Sequence, residues 1–429
     1  MSLKDSFCPS PWFHTRINNS GNYEYCRWAV KHDRQGLPSI TTQSPVYWFQ
    51  YGMSNIRRQM LDGEQPAGCS ECYQVEKHGK VSGRQRQLLK IGVTQEDFDK
   101  TMLSTPWLKE FKQTKNRDGA TDQLPQDWQI DLGNFCNSAC LFCEPHSSSR
   151  LASEFKRIGF IKDLPPQAWV DDPASVDMFI DTLERTPRLA YLHFIGGETL
   201  ITPAFRKILQ VLVDNNLCQQ ISIGFTTNLT TWDSDIVKLL CEFKEVNLGM
   251  SVECLHPVND YARYGSNLAT VERRMKRWID VARQQGWLTQ IRITPTILSV
   301  LHLDTIYRFA MTEGIAVESC NFLNDPAFMR PSVLPTEHRQ QVIDRLQSWI
   351  DQQTVDISNT VINTRDPNQA AAQVVQDAVS YVEYMRNEPD ESHRLPDLIS
   401  YLKTMEQSRK NSVLDYLPEY EELFRSAGY

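Results

Sequence analysis

The amino-acid sequence predicts an α/β fold: a partial (β/α)6 barrel of the TIM type, with a small cysteine-rich hairpin module before it and a helical segment after it. Two observations support this fold class. From residue 128 onward, strand-like segments alternate with helix-like segments, which favours a parallel sheet with right-handed crossovers. Polar and glycine-rich motifs also follow the predicted strand ends, where ligands bind in parallel α/β sheets and barrels.

The composition is that of an ordinary globular protein. The chain has 429 residues, of which 41% are hydrophobic and 23% are charged, so a sizeable core can be buried. A net charge of −8 gives no field that attracts nucleic acid, so we expect no nucleic-acid partner. There is no run of 18 apolar residues, and the first residues lack the apolar core of a signal peptide. We therefore expect a cytoplasmic protein without a membrane partner.

Six strand–helix units are predicted within the barrel. The predicted strands are 128–134, 190–195, 221–226, 246–252, 290–296 and 316–323. The predicted helices are 147–159, 173–186, 203–216, 233–243, 268–285 and 302–313. These units divide the chain into a cysteine-rich region (1–127), the barrel (128–330) and a helical extension (331–429).

The regions on either side of the barrel carry weaker signals. Turn residues 18–21, with aromatic residues after them, predict a β-hairpin. We expect a helix from Ser54 to Leu61, and a solvated helix face over 84–90. A nucleic-acid patch is the alternative for the latter segment. In the extension, Thr336 is the predicted N-cap of a helix.

Two further expectations concern the extension. The stretch 350–368, rich in Asn, Asp and Thr, predicts a loop. The stretch 398–418 is apolar at helical spacing, which predicts packing against the core. Covering the opening to a substrate site is the alternative for this second stretch.

A loop with three cysteines follows the first strand of the barrel. Cys136, Cys140 and Cys143 form a C-x3-C-x2-C array. Disulfides are not expected in a reducing cytoplasm, so clustered cysteines indicate metal. Most cubane iron–sulfur clusters take four cysteines. Three thiolates leave one iron open, and an open iron invites a ligand from outside the protein.

This array, with Phe142 directly before its last cysteine, resembles the signature of the radical S-adenosylmethionine (radical SAM) enzymes. The resemblance implies a [4Fe–4S] cluster whose open iron binds the amino and carboxylate groups of S-adenosylmethionine. It also implies that electron transfer from the cluster yields a 5′-deoxyadenosyl radical, which abstracts hydrogen from a substrate. An electron donor such as flavodoxin or ferredoxin is implied as well.

Later strand ends resemble further motifs of this family. Gly196, Gly197 and Glu198 follow the second strand and resemble the family's GGE motif, which contacts the methionine amino group. Taken alone, Gly-Gly is common in turns, and two glycines let a backbone approach a ligand closely. Thr227 and Asn228, at the end of the third strand, stand where the family often contacts cosubstrate or substrate.

The fourth to sixth strands complete this set. Strand alternation places Ser251 and Glu253 on one face, in a segment that resembles the family's contacts to the methionine carboxylate and the ribose. Arg263 can pair with the methionine carboxylate, and a surface ion pair is the alternative. The fifth strand carries Arg292 and Thr294 on one face.

The segment 321–326 at the sixth strand resembles the backbone that meets adenine, and it includes Leu323. For Asn321 in this segment, the alternative is a buried amide whose hydrogen bonds are satisfied within the protein.

Four cysteines before the barrel form a second set: Cys8, Cys26, Cys69 and Cys72. Four thiolates saturate one cluster, and a zinc ion takes the same set, so the spacing leaves both open. The pattern C-x12-G-x4-C with a later C-x2-C resembles the front half of the SPASM and twitch modules of radical SAM enzymes. The resemblance implies an auxiliary [4Fe–4S] cluster, although relatives commonly carry this module after the barrel.

The other cysteines are scattered among apolar neighbours and are expected to be small buried hydrophobes: Cys218, Cys241, Cys254 and Cys320. The resemblance to enzymes with auxiliary modules favours a peptide or protein side chain as substrate. A small molecule or a nucleotide-derived substrate is the alternative. A zinc-stabilised binding protein without enzymatic activity is the remaining hypothesis, under which the Gly-Gly-Glu motif has no role.

Overall fold

The computed structural model describes residues 3–27, 29, 38–77, 81–319, 322–358 and 364–429. Its centre is an eight-stranded sheet in the order β2-β1-β3-β4-β5-β6-β7-β8. The strands are β1 (His14–Ile17), β2 (Tyr23–Glu24), β3 (Asp127–Asp131), β4 (Tyr191–Ile195), β5 (Ser222–Thr227), β6 (Glu245–Ser251), β7 (Leu288–Arg292) and β8 (Ala316–Glu318).

Strands β3 to β8 run parallel, and each pairs with the next along the chain. The predicted α/β fold with a mostly parallel sheet is therefore confirmed. β7 and β8 end earlier than predicted. In β7 the physical reason is Pro295, which has no N–H for the ladder and restricts the residue before it. The predicted end of β8 includes Cys320 and Asn321, which lie outside the described residues.

Helices connect the parallel strands, and all six predicted ones are present. Side chains accept backbone N–H groups at several of their N-termini, as Ser148 and Asn267 do, and glycines in the left-handed region end three of them. The helices between β3 and β8 are Ser149–Ile158, Pro173–Glu184, Pro203–Asp214, Ser234–Cys241, Val258–Ala262, Leu268–Gln285 and Asp304–Glu313.

The N-terminal region joins the same sheet. β1 pairs parallel with β3 and antiparallel with β2, so Ile17 stands between Ile130 and Tyr23. A second core packs around Phe7, Trp12 and Phe111, whose ring centroids lie 4.9–5.2 Å apart. The helices here are Leu3–Ser6, Pro45–Tyr47, Ser54–Leu61, Ser70–Lys77, Gly83–Lys90, Phe98–Ser104 and Leu108–Asn116.

The helix Gly83–Lys90 is only in part the solvated face that was predicted: Arg86 and Lys90 are exposed, whereas another side of the helix is buried. Arg84 is buried, and its guanidinium donates to the Glu76 carboxylate and to the carbonyl of Phe7 (2.9 Å). Its aliphatic stem is buried and its charge is paired inside the fold, which the run of charged residues in the sequence does not indicate.

The C-terminal extension is helical and packs on the barrel region. Its α-helices are Thr336–Ile350, Pro367–Asn387, Leu395–Arg409 and Glu421–Ser426. The prediction of Thr336 as an N-cap is wrong, because Thr336 is already helical and its hydroxyl donates to Asp390 (3.0 Å) instead. Within the described ranges, every helix is too short or too polar to cross a bilayer.

Candidate active site

One cavity of about 420 Å³ lies where β4, β5, β6 and β7 end. The last residues of these four strands all contribute to its wall. It brings together the three cysteines of the first array and most of the later motifs. Of the predicted cofactor contacts, the cavity is lined by Phe142, Gly196, Gly197, Glu198, Thr227, Asn228, Ser251, Arg263 and Leu323.

The three-cysteine loop is held by hydrogen bonds on both sides. The backbone N–H groups of Ala139 and Leu141 donate to the carbonyls of Tyr264 and Ala262, at 2.8 Å each. From the opposite side, the Asn228 amide donates to the Ser138 hydroxyl at 3.1 Å. The loop is therefore fixed at its backbone, and its sulfurs face the cavity.

The C-terminal extension contributes two more contacts to this loop. The Tyr401 hydroxyl donates to the carbonyl of Leu141 (2.9 Å). Arg409 donates to the carbonyl of Ala139 (2.8 Å) and forms a buried ion pair with Glu154 (2.7 Å). The last long helix thus packs on the core, as predicted, and its hydrogen bonds tie it to the cysteine loop itself.

The thiols of the loop are protonated more readily than exposed ones. Burial raises the pKa of Cys136 and of Cys143, and it raises the pKa of Cys140 to about 11. Metal ligation requires thiolates, so a nearby cation favours loading. Arg263 provides that cation: its Nη1 lies 4.0 Å from the Cys140 sulfur, and it lowers the pKa of all three thiols.

Arg263 is held by Glu253 rather than by solvent. The guanidinium binds the Glu253 carboxylate through Nε and Nη2, the latter at 2.7 Å from Oε1. Glu253 is 0% exposed and stands outside the cavity wall. β6 ends at Ser251, so the alternation that was to place Ser251 and Glu253 on one face does not continue. The pair is a buried one, not the surface ion pair named as the alternative.

The two glycines of the Gly-Gly-Glu turn pack against the chain that leads into the cysteine loop. The N–H of Gly197 donates to Gly133 O (2.9 Å), and the N–H of Glu198 donates to Phe135 O (2.8 Å). A Cβ on Gly197 would stand 2.3 Å from that Phe135 oxygen, and Gly196 has φ +135°. The glycines are thus required for contact between two backbones, a role that the sequence argument did not foresee.

The Glu198 carboxylate connects the turn after β4 to the end of β5. It accepts hydrogen bonds from the Thr227 hydroxyl (2.8 Å), the Asn228 N–H (2.7 Å) and the Leu200 N–H (3.2 Å). Burial raises its pKa, and these three donors lower it. The carboxylate therefore fastens the turn after β4 to the end of β5, while one side of the group still borders the cavity.

Several cavity residues were not assigned a site role from the sequence. Arg292 and Thr294 were placed on one face of a strand, and both line the cavity; Arg292 donates to Thr226 (3.4 Å). Gly249 makes room for Arg292, because a Cβ there would stand 2.9 Å from the Arg292 Cδ. The residues without any earlier signal are Ser138, Ser147, Ser148 and Ile195.

The four N-terminal cysteines surround a cavity of their own, together with Tyr25 and Arg84: Cys8, Cys26, Cys69 and Cys72. Burial raises the pKa of Cys8, and the other three cysteines raise it further, so the four sulfurs lie near one another. Burial also raises the pKa of Cys69 to about 12. The chain thus folds four separated positions around one site.

The four N-terminal thiols leave the metal open, because zinc and a four-iron cluster both take four cysteines. Among the described residues, a different group, His256, His302 and Glu419, brings three ligand atoms within 4.8 Å of one another.

The remaining cysteines are placed as expected for small hydrophobes. Cys218 and Cys254 are buried, and Cys241 is half-buried. Cys320 lies outside the described residues. Among the ten described cysteines, none forms a disulfide.

The comparisons with known proteins can now be set beside this geometry. Residues 130–295 match the family model described as the Radical SAM superfamily. This range contains the three-cysteine loop, the Gly-Gly-Glu turn and the ends of β4 to β7. No curated protein matches the chain.

Solved structures resemble the chain at low identity. Native anSMEcpe with bound AdoMet is 15% identical, with 52% of this chain and 60% of that chain covered and a TM-score of 0.38. Streptococcus suis SuiB bound to S-adenosylmethionine is 14% identical, with 70% and 64% covered and a TM-score of 0.35. The methyltransferase TsrM from Kitasatospora setae is 14% identical, with 62% and 53% covered and a TM-score of 0.35.

The chain therefore spans less than two thirds of the length of each of these three proteins. The family match over residues 130–295 supports a radical SAM domain in that part of the chain, and such a domain favours an enzyme.

Proposed function

We propose that the protein cleaves S-adenosylmethionine reductively to a 5′-deoxyadenosyl radical, which abstracts a hydrogen atom from a substrate. One observation carries this proposal. The three-cysteine loop faces the ends of four parallel strands across one cavity of about 420 Å³. That volume lies in the range of small-molecule sites, which is about 300–1,000 Å³.

Cys136, Cys140 and Cys143 would hold the cluster that S-adenosylmethionine binds. The cluster supplies one electron and, with three protein ligands, one open coordination position. The chain's own contribution is a fixed backbone, a buried cation and exclusion of water. The guanidinium of Arg263 beside Cys140 favours the thiolate form that the cluster requires.

The cosubstrate contacts are proposed from the residues that line the same cavity. The backbone of Gly196 and Gly197 would receive the methionine ammonium, while Glu198 orients this turn. Ser251 and Arg263 face the place of the methionine carboxylate, and Thr227 and Asn228 border it. Leu323 would meet the adenine. Glu253 is withdrawn from the ribose contact and is proposed to position Arg263.

Cys8, Cys26, Cys69 and Cys72 are proposed to bind a second [4Fe–4S] cluster, as in a twitch module. The chain supplies all four ligands, which leaves no iron open for substrate. Such a cluster either accepts an electron from the substrate radical or holds the fold. Zinc is the competing metal, because it takes the same four-cysteine set.

The proposed substrate is a peptide or protein side chain. This assignment rests on the resemblance of the N-terminal cysteine set to the auxiliary modules of peptide-modifying relatives. A flavodoxin or a ferredoxin in the cytoplasm is the proposed electron donor. We also propose the three units 1–127, 128–330 and 331–429 as module, radical SAM core and extension.

Anaerobic reconstitution tests the proposal. The protein should bind about eight irons and eight sulfides per chain, for two four-iron clusters, and should form 5′-deoxyadenosine under reductant. Replacing Cys136, Cys140 and Cys143 by Ala should leave about four irons and no cleavage. Cys241→Ala is the matched control, because Cys241 is half-buried and remote from both sets. One zinc per chain without cleavage of S-adenosylmethionine would contradict the proposal.

A further inference from the structure

A third cavity of about 400 Å³ lies along the inner face of the sheet, and we call it the sheet-face chamber. Its wall includes His14, Arg86, Asp127, His193 and Gln290. Arg292 lines both this chamber and the active-site cavity. Gln87 lines both the chamber and the cavity of the N-terminal cysteines. The chamber therefore adjoins both cysteine sites.

A glycine on β5 leaves room for two side chains of the chamber wall. A Cβ on Gly224 would stand 2.2 Å from the Tyr191 hydroxyl and 3.0 Å from the His193 ring. The glycine on β5 thus gives room to two side chains of β4. Both are uncharged at neutral pH, since the pKa of Tyr191 is raised to about 12 and that of His193 is lowered to about 3.

The chamber wall carries more basic side chains than carboxylates, namely Arg27, Arg86, Lys90 and Arg292 against Asp127, Glu318 and Asp377. Besides burial, the nearby cations Arg292 and Arg27 lower the pKa of His193, and Arg292 also lowers the pKa of Arg27. Helix Gly83–Lys90 adds Arg86 and Lys90 to the same wall. The Arg86 guanidinium forms no ion pair or hydrogen bond with any described residue, and only its backbone N–H donates, to the Ser82 carbonyl. One end of the chamber therefore carries a guanidinium whose donors are available.

The carboxylates of the chamber already have partners. Asp127 accepts from His14 (3.0 Å) and lies 4.0 Å from the Lys90 ammonium, and Glu318 lies 3.5 Å from Arg292. Asp377 accepts from the Tyr307 hydroxyl (3.0 Å). A cationic ligand would have to displace these contacts, whereas an anionic ligand can meet Arg86 without breaking any of them.

We propose that the sheet-face chamber binds the substrate through an anionic group, a carboxylate or a phosphate, which Arg86 and Lys90 receive. The proposal rests on the proposed function, because only then is the bound molecule a substrate. A radical formed in the active-site cavity would meet that molecule past Arg292. The helix that was predicted as a solvated face is thereby assigned to substrate binding.

Binding of simple anions tests the chamber without S-adenosylmethionine, so failure of the radical chemistry does not affect the result. The reconstituted protein is treated with phenylglyoxal, and the modification of each arginine is followed by mass spectrometry. Inorganic phosphate, N-acetylglutamate and the neutral N-acetylglutaminamide serve as probes. Arg58 is the internal reference, because it is half-exposed and pairs with Asp118 at the surface.

An anionic probe at about ten times its Kd should slow the modification of Arg86 about tenfold, while Arg58 remains unchanged. N-acetylglutaminamide, which has no carboxylate, should give no protection. Lys90→Gln should weaken the protection, and the exposed Lys112→Gln should not. Stronger protection by phosphate or by N-acetylglutamate identifies the source of the anionic group. Equal protection by the neutral probe, or none by either anion, would overturn the proposal.

Discussion

The two cysteine sites are built in different ways. The first takes three sulfurs from one eight-residue stretch, 136–143, which is bound by Asn228 after β5, by the end of the helix Val258–Ala262 and by the last long helix. The second takes four sulfurs from residues 8 to 72, carried on a loop, a hairpin and a helix start. A contiguous loop is visible in the sequence, whereas a dispersed set depends on how its segments pack.

Their electrostatic surroundings also differ. A buried cation, Arg263, lies beside the first set and is itself neutralised by Glu253. At the second set, Arg84 is paired with Glu76 and bound to backbone carbonyls. In both places a buried arginine offsets the thiolates that a metal requires, but the first borders a cavity large enough for a cosubstrate.

Single cysteine replacements should show the largest difference between the sites. Cys140→Ala removes a ligand from a three-cysteine set, and we expect cleavage of S-adenosylmethionine to fall by more than about a thousandfold. Cys72→Ala should lower the iron content by about four but leave uncoupled cleavage within about tenfold. Production of 5′-deoxyadenosine and iron content measure both effects. Equal loss of cleavage in both variants would mean that the second site is needed to fold the first.

Breaking the buried ion pair comes next in size. Arg263→Met leaves the Glu253 carboxylate fully buried without its partner, which we expect to cost about 3–5 kcal/mol of unfolding free energy. Arg58→Met is the matched control, since its pair with Asp118 is exposed and is worth about 0–1 kcal/mol. Urea unfolding of the metal-free protein measures both. A similar loss in both variants would refute the buried role of Arg263.

Two glycine replacements compare a new Cβ that meets backbone with one that meets a movable side chain. The Cβ of Gly197→Ala meets the backbone oxygen of Phe135 at 2.3 Å, so the turn must shift, at about 1–3 kcal/mol. The Cβ of Gly68→Ala meets the Tyr25 hydroxyl at 1.9 Å, the far end of a side chain that can rotate away. We therefore expect a smaller loss at Gly68. Thermal unfolding measures the order, and a larger loss at Gly68 would reverse the argument.

The response of the metal-free protein to alkaline pH compares one thiol of each site. The folded pKa of Cys140 is about 11 and that of Cys69 about 12, above the usual thiol value of about 8.5. A raised thiol pKa means that the native state keeps its proton longer. The stabilisation is complete below about pH 8.5 and is lost as the pH rises towards each folded pKa.

Each such thiol should contribute a slope of up to about 1.4 kcal/mol per pH unit within its window. The window of Cys69 should extend about one pH unit beyond that of Cys140. Denaturant titrations between pH 8 and 11 measure the slope, which Cys69→Ala and Cys140→Ala should each reduce. A slope that neither replacement changes would show that other groups dominate the alkaline response.

Much of the fold could be predicted from periodicity. The helix Leu268–Gln285 has its predicted bounds, because Asn267 and Gly286 cap its two ends. The pairing of β1 with β3 could not be predicted, since a four-residue strand more than a hundred residues away carries no register signal. The N-terminal region therefore shares the mostly parallel sheet, which its cysteine spacing did not indicate.

In the candidate site, too, local features could be predicted and contacts between distant residues could not. Cys136, Cys140 and Cys143 were visible because their spacing is local. The ion pair of Glu253 with Arg263 could not be predicted in this way. Strand alternation holds only within a strand, and β6 ends two residues before Glu253. The two glycines were recognised, but their near neighbour, the backbone at Phe135, lies more than sixty residues away.

The sequence by itself determined the α/β class, the three-cysteine loop and the order of the strand-end motifs, because these depend on local periodicity and spacing. Only the tertiary structure decided that the four early cysteines share one cavity, that Arg263 is held by Glu253, and that a chamber lined by basic side chains adjoins both cysteine sites. These features depend on which distant side chains are buried together. Burial sets the strength of every charge and hydrogen bond in the site.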